Sequence, residues 1–243
     1  MIRLFVTADL AAGLHLTLDR DQAHYLVHVM RLAVGGEIAL FNGRDGEWRA
    51  RLVGAKGRAA TLEAIDRTRP QTTPPDVELI STLIRRARLE TVAEKAAELG
   101  VRRVRLAVSA RCNLRQIQTE RLRSIAVEAA EQTGRLDVPD IDEVRPLADI
   151  LAAWPSGRRL IFCDEAGEAP PLGEALEDAS LAGAPCAILI GPEGGFSAEE
   201  RAAIRAVDGV MPVSLGPRIL RADTAAIAAL ALWQSRRGDW AGG

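Results

Sequence analysis

The sequence has few cysteines, few aromatic residues and no long apolar run. Its three cysteines, Cys112, Cys163 and Cys186, are odd in number and widely spaced, which favours buried free thiols over a disulfide framework. No segment reaches the roughly 18 uninterrupted apolar residues of a membrane span, and no basic start followed by an apolar stretch marks a secretory signal. These absences predict a cytoplasmic globular protein with no membrane partner.

Potential metal ligands are equally sparse. His24 and His28 are spaced to share one helix face, but no third ligand cluster accompanies them. We therefore expect no metal site.

The charge of the chain is unevenly distributed, although its net charge is only −2. Residues 85–123 contain eleven Arg or Lys against four Glu, whereas residues 124–243 contain ten basic and nineteen acidic residues. Such a block produces a local positive field that favours a polyanionic partner such as RNA or DNA. An ordinary solvated helix surface explains the same block, so charge alone leaves both interpretations open.

The first 70 residues contain short β-type runs separated by turn signals such as Gly35-Gly36 and Asn42-Gly43, which is typical of a small β-barrel. One helix is predicted from Asp21 to about Leu32, capped by Asp19 or Asp21. The proline-rich stretch 69–75 stops regular structure. We therefore predict one domain over 1–70 and a second over 75–243.

The second part alternates strands and helices. Strands are predicted over 77–84, 103–108, 158–163, 186–190 and 210–215, and the continuous apolar character of the last three fits a parallel sheet buried on both faces. Helices are predicted over 86–99, where Gly100 ends the helix, over 119–132, and from a capping box at Ser197. A last helix, capped by Asp223 or Thr224, runs to about Ser235. This alternation predicts an α/β domain.

Two loops are the best candidates for chemistry. Gly191–Ser197 and Leu215–Arg221 each close a predicted strand and lead towards a helix. Glycine and proline at these points let the backbone approach a ligand. In such sheets, ligands bind beyond the carboxyl ends of the strands, where both loops lie.

The ligand predicted for these loops carries no phosphate. The glycines do not match the dinucleotide pattern, no Walker lysine follows, and Glu193 would repel a pyrophosphate. S-adenosylmethionine fits, because it combines adenine, ribose and a cationic sulfonium. The predicted contacts are backbone groups and apolar side chains: Leu189, Gly191, Gly194, Gly195, Leu215, Gly216, Ile219 and Leu220.

Several segments together resemble the RsmE-type 16S ribosomal RNA uracil-N3 methyltransferases of the SPOUT superfamily. Residues 24–32 are similar to the family's H-H-L-x-x-V-L-R helix, and residues 94–101 to its K-A-T-E-L-G-V segment. Residues 128–135 with Val138-Pro139 match another signature, Arg3-Leu4-Phe5-Val6 resembles the family's start, and both C-terminal loops match closely.

The resemblance implies a SPOUT-type knotted parallel-sheet methyltransferase domain preceded by a small PUA-like β-barrel that binds RNA. It also implies a homodimer and, as substrate, a uridine in 16S rRNA or the small ribosomal subunit. Arginines expected to contact RNA are Arg3, Arg31, Arg86, Arg88, Arg111, Arg135 and Arg218. The sequence departs from the family at Asp223, where a glutamate is usual, and at Arg85 to Glu90, where a lysine-containing K-x-x-R-M-E run is commoner.

Methyl transfer to uracil N3 requires removal of a proton and stabilisation of the resulting anion. Arg221 is predicted to be the stabilising cation, because a guanidinium fork engages a carbonyl oxygen and the adjacent charge. A surface ion pair or phosphate contact is the alternative for Arg221, and Arg218 the alternative cation. Glu193 is the candidate base, unless it only satisfies the amides of its own loop.

Two other functions compete with this interpretation. A non-catalytic RNA-binding protein could retain the fold, although the intact loops argue against it. A nucleotide-dependent oxidoreductase would need the glycine loop to hold phosphate, which its glycine spacing and Glu193 disfavour.

Overall fold

The computed structural model describes residues 1–57, 59–165 and 168–241. The chain divides into two compact units: the first contains Met1–Thr73 with Ala130–Val138, and the second contains Pro74–Ala129 with Pro139–Gly243. The sequence-based division assigned 130–138 to the second domain. In the structure these residues belong to the first unit, because Ala130 and Leu136 are buried there against Phe41.

The first unit is built on a five-stranded sheet in the order β1-β3-β4-β5-β2. Strands β1 and β3 pair in parallel, and the other pairs are antiparallel. Leu26, Ile38, Leu40, Leu52 and Leu62 are fully buried in its core. The strands are β1 (Arg3–Phe5), β2 (His15–Thr17), β3 (Glu37–Phe41), β4 (Glu47–Lys56) and β5 (Ala59–Arg69).

The predicted helix at 21–32 is shorter and changes type. Helix α1 covers Arg20–His24, with Asp19 as the cap, and continues as a π-helix over Tyr25–Val29. The chain leaves this helix through Arg31, which has a φ of +54°, while the Leu32 amide donates to the Leu26 carbonyl. A left-handed residue at this point satisfies the last carbonyls of the helix, and the regular α-helix predicted up to Leu32 is therefore wrong.

The second unit is built on a parallel sheet in the order β12-β10-β11-β6-β7-β8, with β9 also paired to β7. Every residue of β6 and β11 is buried, and for β11 its continuous apolar run predicted this burial. Its strands are β6 (Val77–Thr82), β7 (Arg103–Val108), β8 (Asp140–Ile141), β9 (Arg145–Pro146), β10 (Arg159–Cys163), β11 (Cys186–Ile190) and β12 (Val210–Val213).

The longer helices agree with the sequence except at one cap. Gly100 has a φ of +74° just beyond α2, as predicted. The cap of α7 is Arg221 instead of Asp223 or Thr224, because Asp223 lies inside the first turn and pairs with Arg88. The helices after α1 are α2 (Arg86–Glu98), α3 (Thr119–Thr133), α4 (Leu147–Ala152), α5 (Leu172–Ala175), α6 (Ala198–Arg205) and α7 (Ala222–Arg237). Within the described ranges, none of the helices has the length and apolar character needed to cross a bilayer.

Candidate active site

A cavity of about 570 Å³ opens at the carboxyl ends of β10, β11 and β12. These three strands are neighbours in the sheet, with β10 in the middle. Both predicted loops line the cavity, together with the end of β10 and the start of α6. Its charged lining residues are Arg111, Asp164, Glu165, Glu193, Arg201, Arg218 and Arg221.

The first loop needs glycine at two points. Gly195 has a φ of +64° and its amide donates to the Pro192 carbonyl at 2.9 Å, which closes a tight turn. A Cβ at Gly191 would lie 2.8 Å from the ring of Phe196, which packs edge-on against Phe162 in the core. The loop is therefore held against the sheet, and its backbone faces the cavity.

The capping box predicted at Ser197 is present. The Glu200 amide donates to Ser197 Oγ at 3.1 Å, and the Ser197 amide donates to Glu200 Oε2 at 3.0 Å. Glu200 Oε1 also accepts from the Ala110 amide at 2.6 Å, so one carboxylate joins α6 to the loop after β7. Hydrogen bonds from its own amide and from Ser197 lower the pKa of Glu199. Because the chain's own acids occupy the start of α6, this helix end does not favour a phosphate.

The second loop presents two arginines to the cavity. Gly216 has a φ of +109°, and its amide donates to Ser214 Oγ at 3.1 Å. Arg218 and Arg221 are exposed and line the cavity, and within the described residues neither side chain has a hydrogen-bond or ion-pair partner. Glu193 is likewise exposed on the opposite loop, with no amide of its own loop bound to its side chain in the described structure.

Seven of the eight predicted cofactor contacts line the cavity. Leu189 does not, because it is fully buried in β11 among core residues such as Ile80 and Phe162. Leu189 lies one residue further from the loop than Ile190, which is the residue of β11 that lines the cavity.

Sequence reasoning missed a third wall of the cavity. It consists of Cys163, Asp164 and Glu165 at the end of β10, together with Arg201 on α6. Buried Asp164 pairs with Arg201 at 2.9 Å and with Arg205 at 2.7 Å. Burial raises the pKa of the Cys163 thiol to about 12, which keeps it protonated at neutral pH. The one signal for this wall is that β10 ends at the same edge of the sheet as the two glycine loops. The loop after β10 lacked the mark of the other two, because no glycine or proline follows the strand directly.

Two of the predicted RNA contacts lie at the cavity. Arg218 lies on the second loop, and Arg111 donates from Nη1 to the Gly194 carbonyl at 2.9 Å. Arg86 is on the surface of α2 and pairs with Glu90, whereas Arg88 is half-buried against Asp223. The cavity therefore gathers Arg111 and Arg218, but neither arginine of α2.

Arg3 and Arg135 have structural roles in the first unit. The Arg3 guanidinium donates to Glu47, to the carbonyls of Ala130 and Glu131, and to the Arg135 carbonyl. The central carbon of the guanidinium, Cζ, lies 4.4 Å from the centroid of the Phe41 ring. The Arg135 side chain is 8% exposed and forms a bidentate pair with Asp137. These contacts leave both guanidinium groups poorly placed for RNA, whereas Arg31 is exposed.

The basic block over 85–123 is mostly neutralised. Eight of its eleven basic residues pair with carboxylates, several of which lie elsewhere in the sequence. Arg105, for example, lies 2.6 Å from buried Glu78 on β6. The block therefore does not present the broad positive field that its composition indicated. Within the described ranges, no group of three or more His, Cys, Asp or Glu is placed to hold a metal.

Sequence and structure comparisons define the class of protein. Residues 71–234 match the family model of the RNA methyltransferase domain, and residues 18–65 match that of the RNA methyltransferase PUA domain. The parallel-sheet α/β methyltransferase fold with an N-terminal PUA domain is therefore confirmed.

Individual relatives narrow the family. The chain is 33% identical to ribosomal RNA small subunit methyltransferase E of a Synechocystis species, covering 94% of this chain and 76% of the relative. It is 29% identical to the protein of that name from Rickettsia conorii, covering 94% and 93%. The chain belongs to the ribosomal RNA small subunit methyltransferase E family. A crystal structure of the Neisseria gonorrhoeae member, bound to S-adenosyl methionine, superposes with a TM-score of 0.89 at 29% identity over 99% of both chains.

Proposed function

We propose that this protein transfers a methyl group from S-adenosylmethionine to N3 of a uridine in 16S rRNA of the small ribosomal subunit. The observation that carries the proposal is the cavity where two glycine loops converge with Arg218 and Arg221, two arginines that have no ion-pair partner among the described residues. The Neisseria gonorrhoeae relative, which shares the fold, is bound to this cofactor. The uridine and its N3 position come from the family resemblance.

The residues of the cavity fit the cofactor. Backbone groups of Gly191, Gly194 and Gly216 would hold its adenosine part, with apolar contacts from Leu215 and Leu220. The acids at the start of α6 disfavour a phosphorylated ligand, which also counts against the oxidoreductase alternative. When bound, the cofactor supplies a methyl group on a cationic sulfur.

Arg221 is the cation that we assign to the uracil. Its guanidinium is free of ion pairs within the described structure and faces the cavity, so it is available to a carbonyl oxygen of the base. Lowering the pKa of the base by two units takes about 2.7 kcal/mol, which one charge-assisted hydrogen bond in a water-poor pocket supplies. To Glu193, which is exposed on the facing loop and lines the cavity, we assign the acceptance of the N3 proton.

Arg218 and Arg111 are the arginines that we assign to the RNA backbone. Both line the cavity and both are exposed. Arg111 is tied to the Gly194 carbonyl, so a phosphate bound there would also contact the first loop through this side chain. In the first unit, exposed Arg31 is the remaining candidate for RNA contact.

A homodimer and a trefoil knot remain part of the proposal. Ile219 supports the dimer: it lines the cavity yet is 82% exposed, an unfavourable position for an isoleucine that a second copy would cover. Sedimentation equilibrium tests the dimer, and chain tracing in an experimental density map tests the knot. The proposed substrate implies a cytoplasmic location.

The function is tested by mass mapping of 16S rRNA from cells that lack this gene. We expect the loss of one methyl group at a uridine, and its return when the purified protein and S-adenosylmethionine are added to small subunits. Calorimetry with the cofactor separates the alternative: a non-catalytic RNA-binding protein would leave the methylation pattern unchanged and bind no cofactor.

A further inference from the structure

The third wall of the cavity carries two charged side chains that the proposed methyl transfer does not use. Glu165 follows β10, Arg201 lies on α6, and both line the cavity. Glu165 Oε1 lies 2.7 Å from the position that a Cβ would occupy at Gly195. The Glu165 carboxylate therefore reaches from the end of β10 to the first glycine loop.

Arg201 is held in place from behind. Its Nη2 lies 2.9 Å from the carboxylate of Asp164, whose side chain is 3% exposed. Arg205 pairs with the same carboxylate at 2.7 Å, so Asp164 is balanced by two cations. Within the described residues, only one guanidinium nitrogen of Arg201 has a partner, and the other nitrogens of its planar fork are available to an anion in the cavity.

Glu165 is not balanced in this way. No hydrogen bond or ion pair to its side chain is present in the described structure. Arg201 affects the carboxylate only through a longer-range electrostatic attraction. Burial and the neighbouring Asp164 raise the pKa of Glu165, whereas Arg201 lowers it. Glu165 is exposed at the cavity wall, and a carboxylate there that has no partner among the described residues is available to a bound cation or hydrogen-bond donor.

We propose that Glu165 and Arg201 recognise the amino-acid end of the cofactor, with Glu165 accepting hydrogen bonds from its ammonium and Arg201 donating to its carboxylate. This inference rests on the proposed function, which supplies the ligand. One carboxylate and one guanidinium on a single wall match the two opposite charges of a free α-amino acid. The uncharged adenosine end is left to the backbone of the two glycine loops.

The test compares two ligands that share adenine and ribose. S-adenosylhomocysteine carries the amino-acid end, and 5′-methylthioadenosine lacks it. With the full-length protein, Glu165→Gln and Arg201→Gln should each lower the affinity for S-adenosylhomocysteine, measured by calorimetry, by about tenfold or more. Both variants should leave the affinity for 5′-methylthioadenosine unchanged. Arg201→Lys, which keeps the charge but loses the fork, should give an intermediate loss.

Glu168→Gln is the matched control, because Glu168 is exposed, lies three residues from Glu165 and does not line the cavity. It should bind both ligands as the parent does. The assignment would be overturned if the Glu165 and Arg201 variants lost affinity for both ligands equally, or if their affinity for S-adenosylhomocysteine did not fall. If the parent protein binds neither ligand, the proposed function itself fails, which is a different result from a parent that binds and variants that do not discriminate.

Discussion

Arg88 donates from Nη1 to both carboxylate oxygens of Asp223, at 2.9 and 2.7 Å. The pair joins the start of α2 to the first turn of α7, two residues from Arg221. In the sequence, Asp223 and the run containing Arg88 are two separate departures from the family pattern. In the structure, Arg88 and Asp223 are in direct contact. Asp223 also lies where the positive end of the helix dipole favours an anion. The pair therefore helps to fix the helix start that positions Arg221.

Asp223→Asn is expected to destabilise the protein by about 1–2 kcal/mol, because it leaves the half-buried Arg88 without its anion. Urea unfolding measures the change. Asp208→Asn, at an exposed acid, is the control and should cost less than about 0.5 kcal/mol. If the two variants unfold at the same urea concentration, the pair contributes nothing to stability.

Substitutions at Arg31 test its effect on stability and its effect on RNA binding separately. Its φ of +54° is unfavourable for any residue with a Cβ, by about 1 kcal/mol. Arg31→Gly should therefore leave stability equal or raise it by up to about 1 kcal/mol, even though glycine adds entropy to the unfolded chain. Arg31→Ala keeps the strained backbone and should not be stabilised.

Both Arg31 variants should bind 16S rRNA fragments more weakly if the guanidinium contacts RNA. Filter binding at two salt concentrations measures this, since one lost phosphate contact reduces the salt slope by about 1. An unchanged affinity in both variants would remove Arg31 from the RNA surface and leave only its role in ending the π-helix.

Arg218 and Arg221, the two arginines of the second loop, should respond differently to substitution. Arg221→Ala is expected to lower kcat by about 100-fold or more, because it removes the cation assigned to the developing negative charge, with cofactor affinity unchanged. Arg218→Ala should mainly raise KM for the RNA. Single-turnover methylation of small subunits measures both, and near-normal turnover in the Arg221 variant would refute its assignment.

The stability of the cofactor-free protein should depend on pH through Glu165. Burial and Asp164 raise the pKa of this carboxyl in the folded state, and Arg201 opposes them, so the ionised form costs stability at neutral pH. Its stabilising contribution is present below the unfolded pKa, about 4.3, and is lost as the pH rises through the raised folded value. Glu165→Gln should therefore raise Tm at pH 7.

The same Tm difference should disappear below about pH 4, where both proteins are neutral at this position. Glu168→Gln again serves as the control. A Glu165→Gln variant that melts below the parent at pH 7 would show that the carboxylate makes a stabilising contact in the free protein.

The division between the two units changes how RNA binding should be tested. Deletion of residues 1–70 would separate an RNA-binding part from a cofactor-binding part if the two were independent in sequence. In the structure, Ala130 and Leu136 are buried with Phe41, and Arg3 donates to the Ala130 carbonyl. Deletion would expose that cluster, so point substitutions such as those at Arg31 are the cleaner test.

Local sequence signals predicted several features of the site well. The bounds predicted for β7 and β11 match those of the structure at both ends, and the Ser197 capping box and the left-handed Gly100 are present. These features depend on neighbours in the chain: strand periodicity, a cap three residues from its acid, and a glycine at a helix end. The wrong cap at α7 has the opposite cause, since Arg88, 135 residues away, draws Asp223 away from the backbone.

By itself, the sequence determined the alternation of the longer strands and helices along the chain, the position of both glycine loops and the exclusion of a phosphate-binding motif, because all of these are encoded in short stretches of chain. The tertiary structure decided which charges remain available. It bound the guanidinium groups of Arg3 and Arg135 to partners within the first unit, paired most of the basic block with carboxylates, and brought Glu165 and Arg201 to the same cavity as Arg221. A side chain's partners are set by which strands lie side by side, and the β12-β10-β11 order is a property of the folded sheet.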